Sequence, residues 1–532
     1  WYQRRVRGMT EQPPDNYIVR DEQVKPQLTA EQENDMEGRN DEDFRNKVKA
    51  KLKEQVLNGS QFVLLFNLFL PQLVGLLVEV FGNYLSIYFQ LSRFGSTYYS
   101  SALVYTSFLW IMSRYLSQAI AQKHAMNLAE MIQLAKPADE IQEAVSYHYK
   151  TQVVVGILLG ALGIAISFTL QKFTQFSTYI AAAGLVVPFC NAVSSSYSII
   201  FLVENRRLLM FGLTVARPIL QAFIEIFGYS FSTTTYATDT NTSTVAATII
   251  SHVVVAVWIM WFNLGRTALG VSNLEEFPKI DFWNWDWKKL LYGAKLLPAA
   301  VTGLSQIFFC WAVMMCYKNI DTNVDATERF NMIYQVFVYA VMGQIFRCVA
   351  VAGTSLYTQI AIANHIAQNF SRINSTKIVI IIACAIVNIL LYILLTQTTV
   401  IHIFTNKDVV GIDVATTLLY SGVAGLGQVI TDISQTQSMV DGKWLLIVVI
   451  PIVKLAQIFV VDNYAVTTIG DGADYVMILF FLEMNSTGSG FLIMVVDVVR
   501  KIIEIKKAEK LNQNGKKKKK GKNIAELLSQ LK

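Results

Sequence analysis

Four charged residues stand in stretches that are otherwise almost free of charge: Glu79, Glu225, Arg347 and Asp432. A charge held away from water is expensive, so each is a candidate for function. A secluded carboxyl can take up and release a proton. Glu225 has Arg217 eight residues earlier on a similar helix face, so it reads either as a proton carrier or as half of a structural ion pair. Glu79 reads as a titrating acid or as a cap on a polar pocket that includes Asn83. Asp432 stands among Gln428, Gln435 and Gln437, a run polar enough to line a water-filled cavity, with Lys454 as a possible counter-charge. His252 reads as a proton relay or as a hydrogen-bonded packing residue. Gln306 and Trp311 fit a cavity wall on which a flat cation would stack. Arg347, with Arg114, suits the binding of a phosphate.

These residues are carried by long apolar stretches. The chain has 532 residues, 53% hydrophobic and 16% charged. Of its 45 Lys/Arg and 39 Asp/Glu, residues 58–499 hold 22 and 24, about 10% of that stretch. That is too few to solvate a globular surface, which excludes a soluble multidomain enzyme and confines disorder to the ends. A membrane-crossing helix needs about 20 mostly apolar residues. Twelve stretches qualify: 61–91, 97–121, 151–170, 178–203, 207–231, 244–264, 290–317, 332–361, 376–398, 412–438, 443–461 and 473–499. Runs such as IVIIIACAIVNILLYILLT (378–396) do not alternate, against a β-barrel. The expected fold class is all-α, a polytopic membrane protein with 12 transmembrane helices.

Lysine and arginine set the orientation. With the N-terminus in the cytosol, the inner side receives Lys47 to Lys53, Lys123, Lys136, Lys150, Arg206, Arg207, Lys288, Lys289, Lys377, Lys443 and the C-terminal tail, and the outer side only Arg93, Lys172, Lys318, Arg329 and Lys407. Both termini are therefore expected to be cytosolic, in a plasma or organelle membrane. The sequon Asn241-Thr242-Ser243 falls outside. The five cysteines lie in apolar spans and read as packing residues; no metal or cofactor motif appears, and no phosphate loop for ATP. FWNWDWKK (282–289) reads as an interfacial anchor. The lysines at 516–520 and 522 would attract anionic lipids; nucleic-acid binding is not expected.

The chain also matches itself. NAVSSSYSIIFLVENRRLL (191–209) lies over QVITDISQTQSMVDGKWLL (428–446), so Asn191 meets Gln428, Glu204 meets Asp441 and Arg206 meets Lys443. Ser117, Gln118 and His124 lie over Thr358, Gln359 and His365 at nearly the same offset. This predicts two six-helix bundles related as a parallel repeat. The expected organisation is a largely disordered cytosolic tail (1–57), a first lobe (58–265), a cytosolic linker (266–289), a second lobe (290–500) and a polybasic tail (501–532).

Several local patterns resemble the multidrug and toxic compound extrusion (MATE) transporters, whose superfamily also holds lipid-linked oligosaccharide flippases. Pro71 followed by SIYFQLSRFG (86–95) is similar to the family's first-span proline and "DTIFVGRLG". LQAFIEIFGY (220–229) and VAATIISHVV (245–254) resemble "ALVNIVLDPL" and "GAALATVISQLV". FPKIDFWNWDWKKLLYGAKLLPAA (277–300) resembles the eukaryotic branch's tryptophan-bearing linker. Two departures stand out. Ser86 occupies the place of the prokaryotic coupling Asp, and Gln306 that of the eukaryotic Glu. By the resemblance, Glu225 stands where the family has an Asn beside its coupling network, Tyr229 where it has an Asp, and Thr248 in the network's sixth-span "AT".

The resemblance implies a secondary-active transporter, not an enzyme. It would export organic cations or amphipathic small molecules by alternating access. The exchanged ion is expected to be a proton rather than sodium. Ion coupling would fall to Glu225, Glu79, Tyr229, Thr248 and Ser86, and substrate binding to Gln306, Trp311, Arg347, Asn191, Gln428 and Asp432. A flippase of the same superfamily and a transporter-fold subunit with an assembly role remain the alternatives.

Overall fold

The computed structural model describes residues 65–94, 131, 138–171, 185–194, 207–231, 242–268, 285–286, 308–309, 311–313, 315–316, 320, 326–366, 370–397, 413–441, 443–468 and 472–516. The tail 1–57, most of the linker 266–289, residues 517–532, Arg114 and Gln306 lie outside them. Among the described residues the regular structure is entirely helical. The helices are α1 (Leu70–Phe94, preceded by a π turn, Leu65–Phe69), α2 (Ala138–Gln171), α3 (Leu185–Ser194), α4 (Arg207–Phe231) and α5 (Thr242–Ala268), followed by α6 (Ala326–Phe337), α7 (Gln344–Ile366), α8 (Phe370–Gln397), α9 (Val414–Val440), α10 (Trp444–Thr468) and α11 (Gly472–Lys516). A second π turn, Val338–Met342, joins α6 to α7. Asp413 caps α9, accepting from the Thr416 amide at 3.0 Å.

Packing follows the sequence pattern most openly in α8. Its inward stripe is Ile373, Lys377, Ile380, Cys384, Asn388, Leu391 and Leu395, spaced by threes and fours, as one face of a helix requires. Its other faces are equally apolar but open: Ile378 and Leu390 are each 60% exposed. An apolar surface of that extent fits hydrocarbon and not water. By length and composition four described stretches can cross a membrane: Asn331–Thr358, Ile373–Gln397, Val414–Val440 and Tyr475–Ile503. The first of these, running through α6, the π turn and α7, is surrounded on all sides.

Two groups of helices emerge. In the first, α4 packs against α1 and α5. In the second, α7 and α11 pack on α9, α8 covers α7 and α9, and α10 covers α9 and α11. α1 also lies along α7, and one buried apolar cluster runs from α1 through α7 to α11. Where helices approach most closely, glycine makes it possible. A Cβ on Gly82 of α1 would lie 2.6 Å from the Cβ of Pro218 in α4. One on Gly427 of α9 would collide with Thr487 of α11. Small residues at such crossings are how helices associate in a bilayer, where no hydrophobic drive separates helix from lipid. Pro218 and Pro451 sit inside α4 and α10, a placement that membrane helices tolerate because neighbours satisfy the freed backbone groups.

Candidate functional site

The crossing at Gly82 and Pro218 sets up the first polar cluster. Glu79 lies one turn before Gly82 on α1, and Arg217 immediately precedes Pro218 on α4. Their side chains form a buried ion pair, Arg217 Nη2 to Glu79 Oε1 at 2.8 Å. From Arg217 a ladder climbs α4 at four-residue spacing. Arg217 Nη1 donates to Gln221 Oε1 at 2.9 Å, and Gln221 Nε2 donates to Glu225 Oε1 at 3.3 Å. The same amide reaches Thr248 Oγ1 of α5 at 3.2 Å. Residues at i, i+4 and i+8 share a helix face, so three turns of α4 present one continuous row. On α5 the Thr248 carbonyl accepts from Ser251 Oγ at 2.9 Å and lies 2.8 Å from His252 Nδ1. A carbonyl only accepts, so Nδ1 carries the proton in this arrangement. Glu225 is 1% exposed and the rest of the row is buried.

The structural pair, one of the two readings for Arg217 and Glu225, is distributed differently. Arg217 closes on Glu79, and Gln221 bridges it to Glu225. Eight residues along a helix is about 12 Å, too far for direct contact, and Gln221 fills the gap. Glu79, Glu225 and Thr248, expected from the sequence, are brought together. Ser86 and Tyr229 lie on the backbones of α1 and α4, with side chains outside the described set.

The second cluster surrounds Arg347, the largest wholly buried side chain among the described residues. Glu483 of α11 grips its guanidinium from two sides, with Nη2 to Oε2 at 2.9 Å and to Oε1 at 3.0 Å, and Nε to Oε1 at 3.2 Å. The Tyr339 hydroxyl donates to the same carboxylate, and the Phe309 ring lies 4.4 Å from Arg347 Cζ. The π turn contributes backbone. Its Tyr339 carbonyl accepts from Arg347 Nη1 at 3.4 Å and from Ser421 Oγ of α9 at 3.0 Å. Inserting one residue shifts the helical hydrogen-bond register and turns carbonyls toward side-chain donors, and π turns recur at functional sites for that reason. Arg347, expected in a cavity wall, is here a neutralised core residue.

The remaining expectations are scattered. Gln428 Nε2 donates to Asp432 Oδ2 at 3.4 Å, and Lys454 acts electrostatically on that carboxylate, as its counter-charge would. Asn191 is half-buried on α3, remote in sequence from both clusters. Trp311 is 41% exposed and meets Phe459 of α10 edge-on, ring centroids 6.4 Å apart. The polar run of α9 largely turns inward on its own helix. Thr431 donates to the Gly427 carbonyl, Ser434 to Thr431 and Ser438 to Ser434. These hydroxyls thereby serve close packing against α11. Among the described residues no group of three or more His, Cys, Asp or Glu is placed to hold a metal ion, and Cys190, Cys316, Cys348 and Cys384 are buried.

Sequence reasoning passed over Glu483, Gln221 and Tyr339. Glu483 was findable as an acid inside an apolar span, FFLEMN. Gln221 was findable as the residue midway between Arg217 and Glu225. Nothing in the sequence announced Tyr339, whose role depends on the π turn.

No protein-family model and no curated relative matches the sequence. Solved structures do match in fold. An outward-facing multidrug resistance MATE family transporter of the MOP superfamily is similar over 84% of this chain and 98% of its own, at 15% identity and a TM-score of 0.59. A MATE structure in complex with MaD3S covers the same shares at 13% identity and a TM-score of 0.62. A MOP superfamily transporter from Pyrococcus furiosus, described as having a binding pocket of reversed polarity that suggests a different function, is 13% identical over 82% of this chain and 96% of its own, with a TM-score of 0.59. Helical throughout its described residues, apolar and matched along nearly the full length of those transporters, the chain has the fold of the MATE transporters of the MOP superfamily.

Proposed function

We propose that the chain is a secondary-active membrane transporter that exports organic cations or amphipathic small molecules in exchange for protons. Two six-helix lobes, 58–265 and 290–500, related as a parallel repeat, rock about a central path so that it opens alternately to either side. Both termini are cytosolic, and the lysine-rich tail lies against anionic lipid.

The observation that carries this reading is the row Glu79, Arg217, Gln221, Glu225 and Thr248. It holds two carboxylates and one guanidinium inside a helix bundle. Arg217 pairs with Glu79 at 2.8 Å, and Gln221 places a neutral amide between Arg217 and Glu225. A secluded carboxyl bridged by an amide to a fixed ion pair can pass between protonated and ionised forms with little rearrangement. This supplies the acid missing at Ser86 and at Gln306. Ser86 and Tyr229, on the same two helices, extend the coupling network, and the substrate path takes in Gln306, Trp311, Asn191, Gln428 and Asp432.

The flippase alternative leaned on Arg347 as a phosphate ligand. The bidentate Glu483 clamp supports a structural role for that arginine instead. The Pyrococcus furiosus neighbour cautions that one fold serves several cargoes, so substrate class rests on the site and not on the fold.

The test is uptake of an organic cation into proteoliposomes under an imposed pH gradient. The parent protein accumulates the cation, and Glu225→Gln loses the response to the gradient while binding is retained. Gradient-driven uptake that survives Glu225→Gln unchanged removes Glu225 as the carrier. No uptake by the parent protein with either gradient direction removes the exporter reading.

A further inference from the structure

The two helix groups meet along α1. Phe69, Leu73, Leu76, Val80 and Tyr84 are all buried and are spaced by threes and fours, which makes a single seam facing the α6–α7 rod. The seam ends in a polar contact. The Tyr84 hydroxyl donates to the main-chain carbonyls of Val341, at 3.3 Å, and of Met342. Both carbonyls belong to the π turn Val338–Met342.

The turn explains why they are available. In an uninterrupted α-helix each would accept from an amide four residues on. Here the Gly343 amide reaches back five residues to the Val338 carbonyl at 3.1 Å, and the register is displaced. The carbonyls that follow collect side-chain donors: Tyr339 takes Arg347 and Ser421, Ala340 takes Gln344 Nε2 at 2.8 Å, and Met342 takes Tyr84. Three of these donors come from α7 and α9, within the second group. Tyr84 comes from the first.

We propose that Tyr84 and the π turn form a latch between the two groups: the hydroxyl holds α1 against the α6–α7 rod in the arrangement seen here and releases when the groups separate. A tyrosine hydroxyl on main-chain carbonyls suits that duty. It is directional, it carries no charge that would trap it, and both sides can be satisfied by water after release. The apolar seam alone would hold the helices together without fixing their axial register. The latch also has a mechanical link to the first polar cluster. Glu79 and Tyr84 are five residues apart on α1, about 7.5 Å along its axis, with Glu79 held to α4 and Tyr84 to the π turn. Movement of α1 at one contact is felt at the other. The latch does not rest on proton coupling or on the identity of the substrate.

The test uses a thiol already in place. Cys348 is buried and close enough to Tyr84 to act electrostatically on its phenol. In a chain with the other four cysteines replaced by alanine, the rate of Cys348 modification by N-ethylmaleimide reports opening of the seam. Tyr84→Phe removes one oxygen and keeps the ring that packs edge-on to Phe81. The loss of the hydroxyl's contacts across the seam raises the labelling rate about 2- to 10-fold. Ser421→Ala removes a donor from the same π turn, but from within the second group, and leaves the rate within about 2-fold of the parent. Hydrogen exchange of the amides at 343–347 follows the same order, faster in Tyr84→Phe than in Ser421→Ala. An unchanged labelling rate in Tyr84→Phe overturns the latch. So does an equal rise in Ser421→Ala, which would mean that the π turn has merely loosened. Neither result bears on the Glu225 reading, which is tested by transport alone.

Discussion

Replacing either member of the Arg347–Glu483 pair alone should damage the protein far more than replacing both. Arg347 has 0% exposure, and Glu483 accepts two contacts from Nη2 and one from Nε, all between 2.9 and 3.2 Å, as well as the Tyr339 hydroxyl. Glu483→Leu leaves a guanidinium in the core without its carboxylate, against the Tyr339 carbonyl and the Phe309 and Tyr339 rings, and Arg347→Met leaves the mirror problem. Each should cost about 3–5 kcal/mol. The double variant removes both charges and fills the space with apolar atoms. What then remains is the Tyr339 hydroxyl without its acceptor, about 1–3 kcal/mol. The coupling between the two sites should therefore exceed about 2 kcal/mol and favour the double variant. Equilibrium unfolding in mixed micelles over a range of SDS mole fractions measures all four corners of the cycle. Additive single losses would refute the idea that the pair is a self-contained neutral unit. The same proteins decide the role of Arg347 in transport. If it is structural, the double variant still moves substrate; a stable but inactive double variant would return Arg347 to the substrate path.

Two further outcomes follow from the packing and the charges of the second helix group. Gly427→Val should cost about 1–3 kcal/mol in the same titration, because its side chain meets Thr487, whereas Gly488→Val, where a Cβ meets nothing within 4 Å, should be near neutral; equal effects would mean that the α9–α11 approach is not tight. At the far end of these helices Asp441, Lys443, Asp497 and Lys501 form a ring of ion pairs, with Lys501 3.2 Å from Asp441 and 3.1 Å from Asp497. Asp497→Asn leaves two lysines sharing Asp441, and should lower the SDS midpoint more at low salt than at high salt; an effect independent of salt would show that the ring is not held by charge.

The sequence made some of this legible and hid the rest for identifiable reasons. The helices of the second group could be read because membrane helices advertise themselves in composition; α8 is apolar through nearly every turn. Glu79, Glu225 and Arg347 could be picked as functional candidates because a charge within such a helix is conspicuous. Their partners could not. Periodicity reports which face a residue is on, and says nothing of which helix that face meets. Arg217 and Glu225 share a face of α4, yet the partner of Arg217 is Glu79, 138 residues away, chosen by the crossing of Gly82 and Pro218. Arg347 was read as a ligand for phosphate because its carboxylate lies 136 residues further on. The partners of the α9 hydroxyls could not be read either, because a serine bonded to its own helix and one facing water are the same letter. The π turn left no trace at all: Val338–Met342 is an ordinary apolar stretch, and its extra residue appears only as a change of register.

What separates the two clusters is charge arithmetic more than position. The pair Arg347–Glu483 sums to zero, and every strong contact it makes serves to keep it there. The row Glu79–Arg217–Gln221–Glu225 has two carboxylates for one guanidinium, with Gln221 donating to the second acid through a neutral amide. If Glu225 is the proton carrier, a single proton should move per transport cycle, because Glu79 is held by Arg217. The first helix group then carries the exchangeable charge and the second a fixed one. α1 bears both Glu79 and Tyr84 and so touches the first cluster and the π turn of the second, which gives a change of charge on one side a short mechanical path to the other.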